Sequence, residues 1–238
     1  LTAVMLLVAF GAVMVYSASS ASTVVKGGGD GTGFLVKYVM YAAAGFVVLH
    51  LAARAPLQRV LALTGPILAV ALGCLVLVEV PGFGVTVNGA TRWLGAGPLQ
   101  FQPSEIAKLA LVLYATRFLA ERPRGFRRPK DLMPLGLVAG AIVLLVAKQP
   151  DLGTALVVCF TMGAMLVAAG LPMRWLGGFA GAGVVLVSLY AMSASYRRAR
   201  LTSFLDPWNH AGDAGFQAVQ GQIAIGSGGL FGRGLGES

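Results

Sequence analysis

The sequence predicts an all-α fold, a polytopic bundle of transmembrane helices. Of its 238 residues, 57% are hydrophobic and 11% are charged, and the mean hydropathy is +0.79. Soluble domains carry about 25% charged residues, so an ordinary water-soluble globule is excluded. The chain has 18 Lys and Arg against 9 Asp and Glu, a net charge of +9. In so apolar a chain, this excess indicates membrane loops or an anionic ligand rather than nucleic acid.

A helix needs about 20 apolar residues to cross a bilayer, and seven apolar runs approach or reach that length. They lie at 1–16, 34–53, 60–79, 104–120, 132–148, 151–170 and 175–193. The first run is shorter than a full crossing. The fifth and sixth are separated only by Gln149-Pro150-Asp151, which predicts a tight helical hairpin. We assign residues 1–238 to a single membrane domain, with 194–238 as a long outward loop or tail.

Both ends of the chain indicate a piece of a longer protein. It begins at Leu1 rather than Met, and no basic segment precedes the first apolar run, so a cleaved signal peptide is not supported. It stops at Glu237-Ser238 after a glycine-rich stretch, where we expect no closing helix.

Lysine and arginine in short loops predict the orientation, because cytoplasmic loops carry an excess of both. The densest basic segment is 117–130, which we place in the cytoplasm. Counting spans from there puts the loops 17–33, 80–103 and 149–150, and the tail 194–238, on the outer face. The loops that would face inside hold nine basic residues and those outside hold eight, so the totals alone do not determine the orientation. The prediction therefore depends on the dense basic segment 117–130. The basic residues predicted on the outer face oppose this tendency, so their presence there requires another explanation, such as ligand binding.

Two similar motifs introduce helices on the predicted outer face. They are Gln102-Pro103-Ser104-Glu105 and Gln149-Pro150-Asp151-Leu152. Proline in the first turn with a nearby Ser or Asp is ordinary helix-start chemistry, so capping alone is one interpretation. The other is functional, because the free N–H groups and the dipole at a helix N-terminus attract anions.

Lys108 lies one turn into the fourth run, where an ammonium is costly unless it faces a polar cavity or a partner. It is therefore a candidate functional residue. The alternative is an i,i+3 ion pair with Glu105. The two interpretations are compatible, since the carboxylate could orient the ammonium.

Other outward residues have the chemistry to bind a phosphorylated sugar. Arg92 and Trp93 precede the fourth run, although a tryptophan there could equally belong to the aromatic belt at the membrane interface. Arg197 and Arg200 follow the seventh run. Arginine suits bidentate phosphate contacts, and an anchor for lipid headgroups is the alternative. No grouping of His, Cys and Glu has the spacing of metal ligands.

Four motifs together resemble one family. They are Asn88-Gly89-Ala90-Thr91-Arg92-Trp93, Gln102-Pro103-Ser104-Glu105 with Lys108, Gln149-Pro150-Asp151-Leu152-Gly153-Thr154-Ala155, and Ile223 through Gly236. In this order they resemble the SEDS proteins, the FtsW, RodA and SpoVE group of bacterial cell-wall synthesis. The resemblance covers essentially the whole chain. Residues 196–200 with Phe204, Pro207 and Trp208, and 16–20 after the first run, are most like the FtsW branch. Gly221, where Ser is common, is a mild departure.

The resemblance implies a peptidoglycan glycosyltransferase of about ten spans. Such enzymes polymerise lipid II, the undecaprenyl-diphosphate disaccharide-pentapeptide, at the outer face of the cytoplasmic membrane. It also implies a class B penicillin-binding protein transpeptidase and other division proteins as partners, contact with membrane lipids, and no nucleic acid. A divalent cation is a possible cofactor in this family; the sequence identifies none. The family's proposed catalytic Asp lies in a segment that we expect beyond Ser238, so no catalytic residue is assigned. Asp206 and Asp213 lie outside that motif and are not assigned the role.

The sequence therefore predicts a substrate-binding set and a structural set. Arg92, Lys108, Arg197 and Arg200 are predicted diphosphate contacts, and Trp93 is predicted to position the substrate. The helix-start residues are Gln102, Pro103, Ser104, Glu105, Gln149, Pro150 and Asp151. A transporter that flips lipid II, or a division scaffold, stays as an alternative, because each is compatible with the same residues.

Overall fold

The computed structural model describes most of the chain. The described residues are 1–25, 32–87, 90–96, 99–122, 126, 128–192, 203, 205–212, 215–230, 232 and 234. They divide into two compact units: the first comprises residues 1–55 with 187–238, and the second comprises residues 56–186. The predicted contacts Arg197 and Arg200 lie outside the described residues.

The first unit contains the two N-terminal helices, α1 (Thr2–Val25) and α2 (Gly33–Arg54). They pack where Gly11 leaves room for Tyr38, whose hydroxyl donates to the Val8 carbonyl at 3.0 Å. No residue of α2 is buried, although the helix is apolar along its length. Such a helix suits lipid rather than water as its surroundings.

The second unit is built on four helices around one core. They are α4 (Thr64–Val78), α5 (Pro103–Ala120), α6 (Met133–Lys148) and α7 (Leu152–Ala168). A short helix α3 (Leu57–Ala62) precedes them, and a 3-10 turn (Pro129–Leu132) leads into α6. Ala107, Ala110 and Ala115 of α5 are fully buried. Small residues of this kind let helices approach closely in membranes.

The helix α8 (Met173–Met192) follows α7, and α9 (Phe216–Gly228) lies near the end of the chain after a 3-10 turn (Trp208–His210). The segment 194–238, predicted as an outward loop or tail, therefore contains a helix, and α9 includes the first part of the glycine-rich stretch. Residues 221–228 continue the helix although Gly221, Gly226 and Gly228 each lower helical stability by about 1 kcal/mol.

Each apolar run contains a helix, with two corrections to the bounds. The first helix extends beyond residue 16 to Val25, because the small polar residues 17–23 are compatible with helix. The third run is interrupted at Leu63, between α3 and α4. Among the residues that the structure describes, three helical segments are long and apolar enough to cross a membrane by themselves, namely Thr2–Ser20, Gly33–Arg54 and Pro129–Lys148. The apolar helices α4 and α7 are shorter.

A small antiparallel sheet occupies the connector before α5, where the sequence predicted only a loop. Its strands are β1 (Gly84–Val87), β2 (Ala90–Ala96) and β3 (Leu99–Phe101), in the order β1-β2-β3. Strands this short are invisible to a search for runs of about 20 apolar residues. Gly84 permits the close approach to α4, since a Cβ there would lie 2.5 Å from the Val78 carbonyl oxygen.

A bulge in this sheet determines where Arg92 is presented. Val85 pairs with Trp93 and Thr86 pairs with Thr91, so Arg92 is the additional residue of β2 between two successive pairs. Bulges bend a strand and redirect a side chain, and they are frequent beside functional sites.

Candidate functional site

The carboxylate of Asp151 joins the starts of α5 and α7. As the N-cap of α7, its Oδ1 accepts from the Thr154 backbone N–H at 3.1 Å. Its Oδ2 accepts from the Thr154 hydroxyl at 2.9 Å and from Gln102 Nε2 at 3.2 Å. Gln102 is the residue before the first turn of α5. The two helix starts that looked alike in sequence are therefore hydrogen-bonded to each other.

Arg92 connects the sheet to the turn between α6 and α7. Its Nε donates to the Gln149 carbonyl at 3.0 Å, and its Nη2 donates to the Pro150 carbonyl. Its Nη1 lies 3.8 Å from Asp151 Oδ2, close enough for charge attraction but too far for a hydrogen bond. Two of the five N–H donors of a guanidinium are thus used, and the side chain stays 26% exposed.

Gln149 has a structural role that its motif did not reveal. It is only 2% exposed, and its Nε2 donates to the Leu75 carbonyl at 3.2 Å. The last four carbonyls of a helix lack an intrahelical partner, and Leu75 is one of these residues in α4. Gln149 therefore caps α4 with its side chain while its backbone carbonyl holds Arg92.

Lys108 forms the ion pair that the sequence offered as its alternative role. Its Nζ lies 2.8 Å from Glu105 Oε1, and the two side chains are 29% and 60% exposed. One donor of the ammonium is used, and no other described residue bonds the remaining two. Lys108 lies five residues beyond Pro103, about 7.5 Å along the helix axis from the start of α5.

The described charges at these helix starts balance. Arg92 and Lys108 bring two positive charges, and Glu105 and Asp151 bring two negative charges. A diphosphate is attracted to a site with net positive charge, so the predicted anion site depends on further cations. Arg197 and Arg200 are the predicted ones, and the structure does not describe them. Trp93 is half-buried in β2, opposite Val85.

Two of the helix-start expectations need correction. Ser104 does not cap α5: it lies inside the first turn, is 1% exposed, and its Oγ has no hydrogen-bond partner among the described residues. The cap position belongs to Gln102, whose side chain bonds Asp151 instead. Pro150 is not in the first turn of α7, because it precedes the cap Asp151. The residue that sequence reasoning missed is Thr154, whose Asp-x-x-Thr spacing is the signal for that cap.

No cluster of three or more His, Cys, Asp and Glu side chains capable of holding a metal ion occurs among the described residues. The two carboxylates of the site are both engaged with basic or amide groups. These described residues do not fit the divalent cation that the family resemblance suggested.

Comparison with known proteins identifies the family. The model of the cell cycle protein family FtsW/RodA/SpoVE matches residues 1–238. The chain is 41% identical over 237 residues to a probable peptidoglycan glycosyltransferase FtsW of Thioalkalivibrio sulfidiphilus, covering 99% of this chain and 59% of that protein. It is 35% identical over 246 residues to stage V sporulation protein E of Bacillus subtilis, covering 98% and 64%.

Solved structures agree. One, which describes how a peptidoglycan synthase complex coordinates polymerization and crosslinking, matches with a TM-score of 0.68 and 35% identity, over 93% of this chain and 66% of that chain. A crystal structure of the rod shape determining protein RodA of Thermus thermophilus matches with a TM-score of 0.59 and 30% identity, over 76% and 57%.

The chain belongs to the FtsW/RodA/SpoVE family, as its motifs predicted, and it is a multi-pass membrane protein made mostly of helices. It spans 59% of the length of the Thioalkalivibrio relative and 64% of the length of the Bacillus relative. The predicted helical membrane fold is confirmed. The roles of the individual site residues stay predictions.

Proposed function

We propose that this protein is a peptidoglycan glycosyltransferase that polymerises lipid II at the outer face of the bacterial cytoplasmic membrane during cell division. The observation that carries the proposal is the meeting of three family motifs in one cluster. Arg92, Gln102 and Asp151 are separated by up to 59 residues in the sequence, yet they are linked by hydrogen bonds and charge attraction. Relatives at 36% to 41% identity carry the name probable peptidoglycan glycosyltransferase FtsW.

The proposed reaction assigns the cations to the leaving group. A sugar hydroxyl attacks the anomeric carbon of a lipid diphosphate donor, the bond to the diphosphate breaks, and negative charge collects on the departing phosphate. Preorganised donors at that position lower the barrier. Lys108 has two ammonium donors available, and Arg92 has three guanidinium N–H donors not used by the carbonyls.

Because the charges of the described cluster balance, the positive charge that attracts a diphosphate is assigned to Arg197 and Arg200. With Glu105 and Asp151 in place, Lys108 and Arg92 supply no net positive charge. Arg197 and Arg200 would supply the excess that a diphosphate requires, by the bidentate contacts that suit guanidinium. Trp93 would position the sugar beside the helix starts.

The general base is not assigned to a described carboxylate. Asp151 already accepts three hydrogen bonds, and Glu105 is paired with Lys108. A general base must lie within hydrogen-bond reach of the attacking hydroxyl. We assign Glu105 and Asp151, the two carboxylates of the cluster, to orienting its basic and amide groups instead.

A class B penicillin-binding protein transpeptidase is the proposed partner. The synthase complex to which this chain is similar coordinates polymerization with crosslinking, which are the two reactions that such a pair divides. Other division proteins and the surrounding membrane lipids complete the proposed partners.

The deciding experiment is reconstitution of the whole membrane protein in liposomes with fluorescent lipid II. Glycan polymer, resolved by gel electrophoresis, is the expected result. Movement of lipid II between leaflets without polymer would replace the proposal by a flippase. Recruitment of the transpeptidase with neither activity would replace it by a scaffold.

A further inference from the structure

A cavity of about 360 Å³ lies beside the Arg92 cluster, within the second unit. Its walls come from the C-terminal end of α4, from β1 and β2, and from the turn between α6 and α7. The polar lining residues are Glu79, Thr86, Thr91, Lys148 and Gln149, and Pro150 also lines it. Ligand pockets usually measure about 300–1,000 Å³, so this one has room for a segment of a large substrate.

The cavity carries one charge of each sign. Glu79 Oε2 and Lys148 Nζ lie 3.9 Å apart, which is attractive but beyond hydrogen-bond distance. The Glu79 side chain is 28% exposed and that of Lys148 is 72% exposed. Both groups therefore keep donors or acceptors that a ligand can use.

The cavity also contains neutral polar groups. The Thr86 and Thr91 hydroxyls lie 2.7 Å apart and share one hydrogen bond, which leaves one hydroxyl hydrogen and several lone pairs for a ligand. The lining therefore suits a compact polar group that carries both a carboxylate and an ammonium. A diphosphate would meet the Glu79 carboxylate as well as the Lys148 ammonium, and a neutral sugar could hydrogen-bond to both groups but form no ion pair with either.

The cavity borders the cluster that the proposed function uses. Gln149 and Pro150 line it, and their carbonyls accept from Arg92. Thr91 also lines it and directly precedes Arg92 in β2. An occupant of the cavity would therefore contact the residues that fix the Arg92 guanidinium.

We propose that this cavity binds the peptide arm of the lipid-linked substrate, with Lys148 pairing with a peptide carboxylate and Glu79 with a peptide ammonium. This inference rests on the proposed function, because it takes the substrate to be a disaccharide that carries a peptide. The cavity would then be a subsite that binds the peptide, separate from the residues that bind the diphosphate.

The experiment compares two substrates and two variants in the reconstituted membrane protein. The substrates are lipid II with a free peptide carboxylate and the same lipid with that carboxylate amidated. Lys148→Met should raise KM for the free-carboxylate substrate about tenfold, the size of one lost charge-assisted contact, with kcat little changed. On the amidated lipid, wild type and Lys148→Met should have the same KM.

Glu79→Gln tests the proposed contact between Glu79 and the peptide ammonium. It should raise KM for lipid II with a free peptide amine and have no effect when that amine is acetylated. Lys130→Met is the matched control, because Lys130 is an exposed lysine that does not line the cavity. It should leave KM unchanged for all substrates.

A binding measurement separates the two hypotheses. The soluble disaccharide-pentapeptide should raise the thermal unfolding midpoint of wild type and not that of Lys148→Met. A wild type that makes no polymer but shows this shift would overturn the proposed function and retain the peptide subsite. A wild type that polymerises lipid II, with equal KM for free and amidated peptide, would overturn the subsite alone.

Discussion

At the residue scale, the site is a set of polar contacts between segments distant in sequence. The sequence identified Arg92, Gln102 and Asp151 individually, from charge, position and motif. It could not indicate that Asp151 bonds Gln102 or that Arg92 donates to two turn carbonyls, because such contacts depend on how the helices pack. The Lys108–Glu105 ion pair could be predicted from the sequence, because i,i+3 spacing on a helix alone brings those side chains together.

The first prediction concerns Lys108. Lys108→Met should lower polymerisation at least about tenfold, the loss of about 1.4 kcal/mol of transition-state stabilisation, while expression and insertion are unchanged. Lys108→Arg should keep partial activity, because the charge is retained with altered geometry. Initial rates with labelled lipid II measure both.

Glu105→Gln distinguishes a functional Lys108 from a merely structural one. It removes the described partner of Lys108 and leaves the ammonium in place. Normal polymerisation by Lys108→Met, or equal losses in Lys108→Met and Glu105→Gln, would show that only the ion pair matters. The diphosphate assignment of Lys108 would then be abandoned.

The second prediction concerns the Asp151 cap. Asp151→Ala removes three accepted hydrogen bonds and leaves Arg92 without its nearby carboxylate. Loss of the cap and of these bonds should lower the free energy of unfolding by about 1–3 kcal/mol. Asp151→Asn should be less destabilising, because asparagine also caps helices well. Thermal unfolding in detergent checks the order, and an alanine variant as stable as the asparagine one would contradict it.

At the element scale, helices were predictable and the sheet was not. A bilayer requires about 20 apolar residues per helical crossing, so each run identified its helix. The break at Leu63 and the extension to Val25 were not visible in hydropathy. The strands before α5 have three to seven residues, and their pairing depends on docking against α4. Gly84 is the point of contact in that docking.

The third prediction therefore concerns Gly84. In Gly84→Ala the added Cβ would collide with the Thr91 side chain and lie 2.5 Å from the Val78 carbonyl oxygen. The hairpin must shift, at a cost of about 1–3 kcal/mol by analogy with overpacked cores. Polymerisation should fall as well, because β2 carries Arg92. The unfolding midpoint and the initial rate measure the two effects.

Gly73→Ala is the matched control for Gly84→Ala. Gly73 lies inside α4 with no neighbouring atom within 4 Å of an added Cβ. Alanine favours helix over glycine by about 1 kcal/mol, so this variant should be as stable as wild type or more so. Equal destabilisation by the two variants would refute the contact between the hairpin and α4.

At the scale of the whole molecule, the orientation follows from where the basic residues gather. Arg117 lies in the last turn of α5, and Arg122, Arg128 and Lys130 lie between α5 and the start of α6. The Arg122 guanidinium lies 4.0 Å from the centre of the Phe118 ring and donates to the Asp131 carbonyl at 2.7 Å. The Arg92 cluster lies at the opposite end of α5. If the basic end is cytoplasmic, the proposed site faces outward.

The last prediction tests that orientation in a background without reactive thiols, since the native Cys74 and Cys159 are both free. Cys74→Ala and Cys159→Ala remove them. Val87→Cys then reports on the sheet, and Lys130→Cys reports on the basic end; both positions are exposed. In intact cells, a membrane-impermeant maleimide should label Val87→Cys and leave Lys130→Cys unlabelled until the membrane is permeabilised. The opposite pattern would place the Arg92 cluster in the cytoplasm, where polymerisation at the outer face could not use it, and the proposed function would fail with the topology.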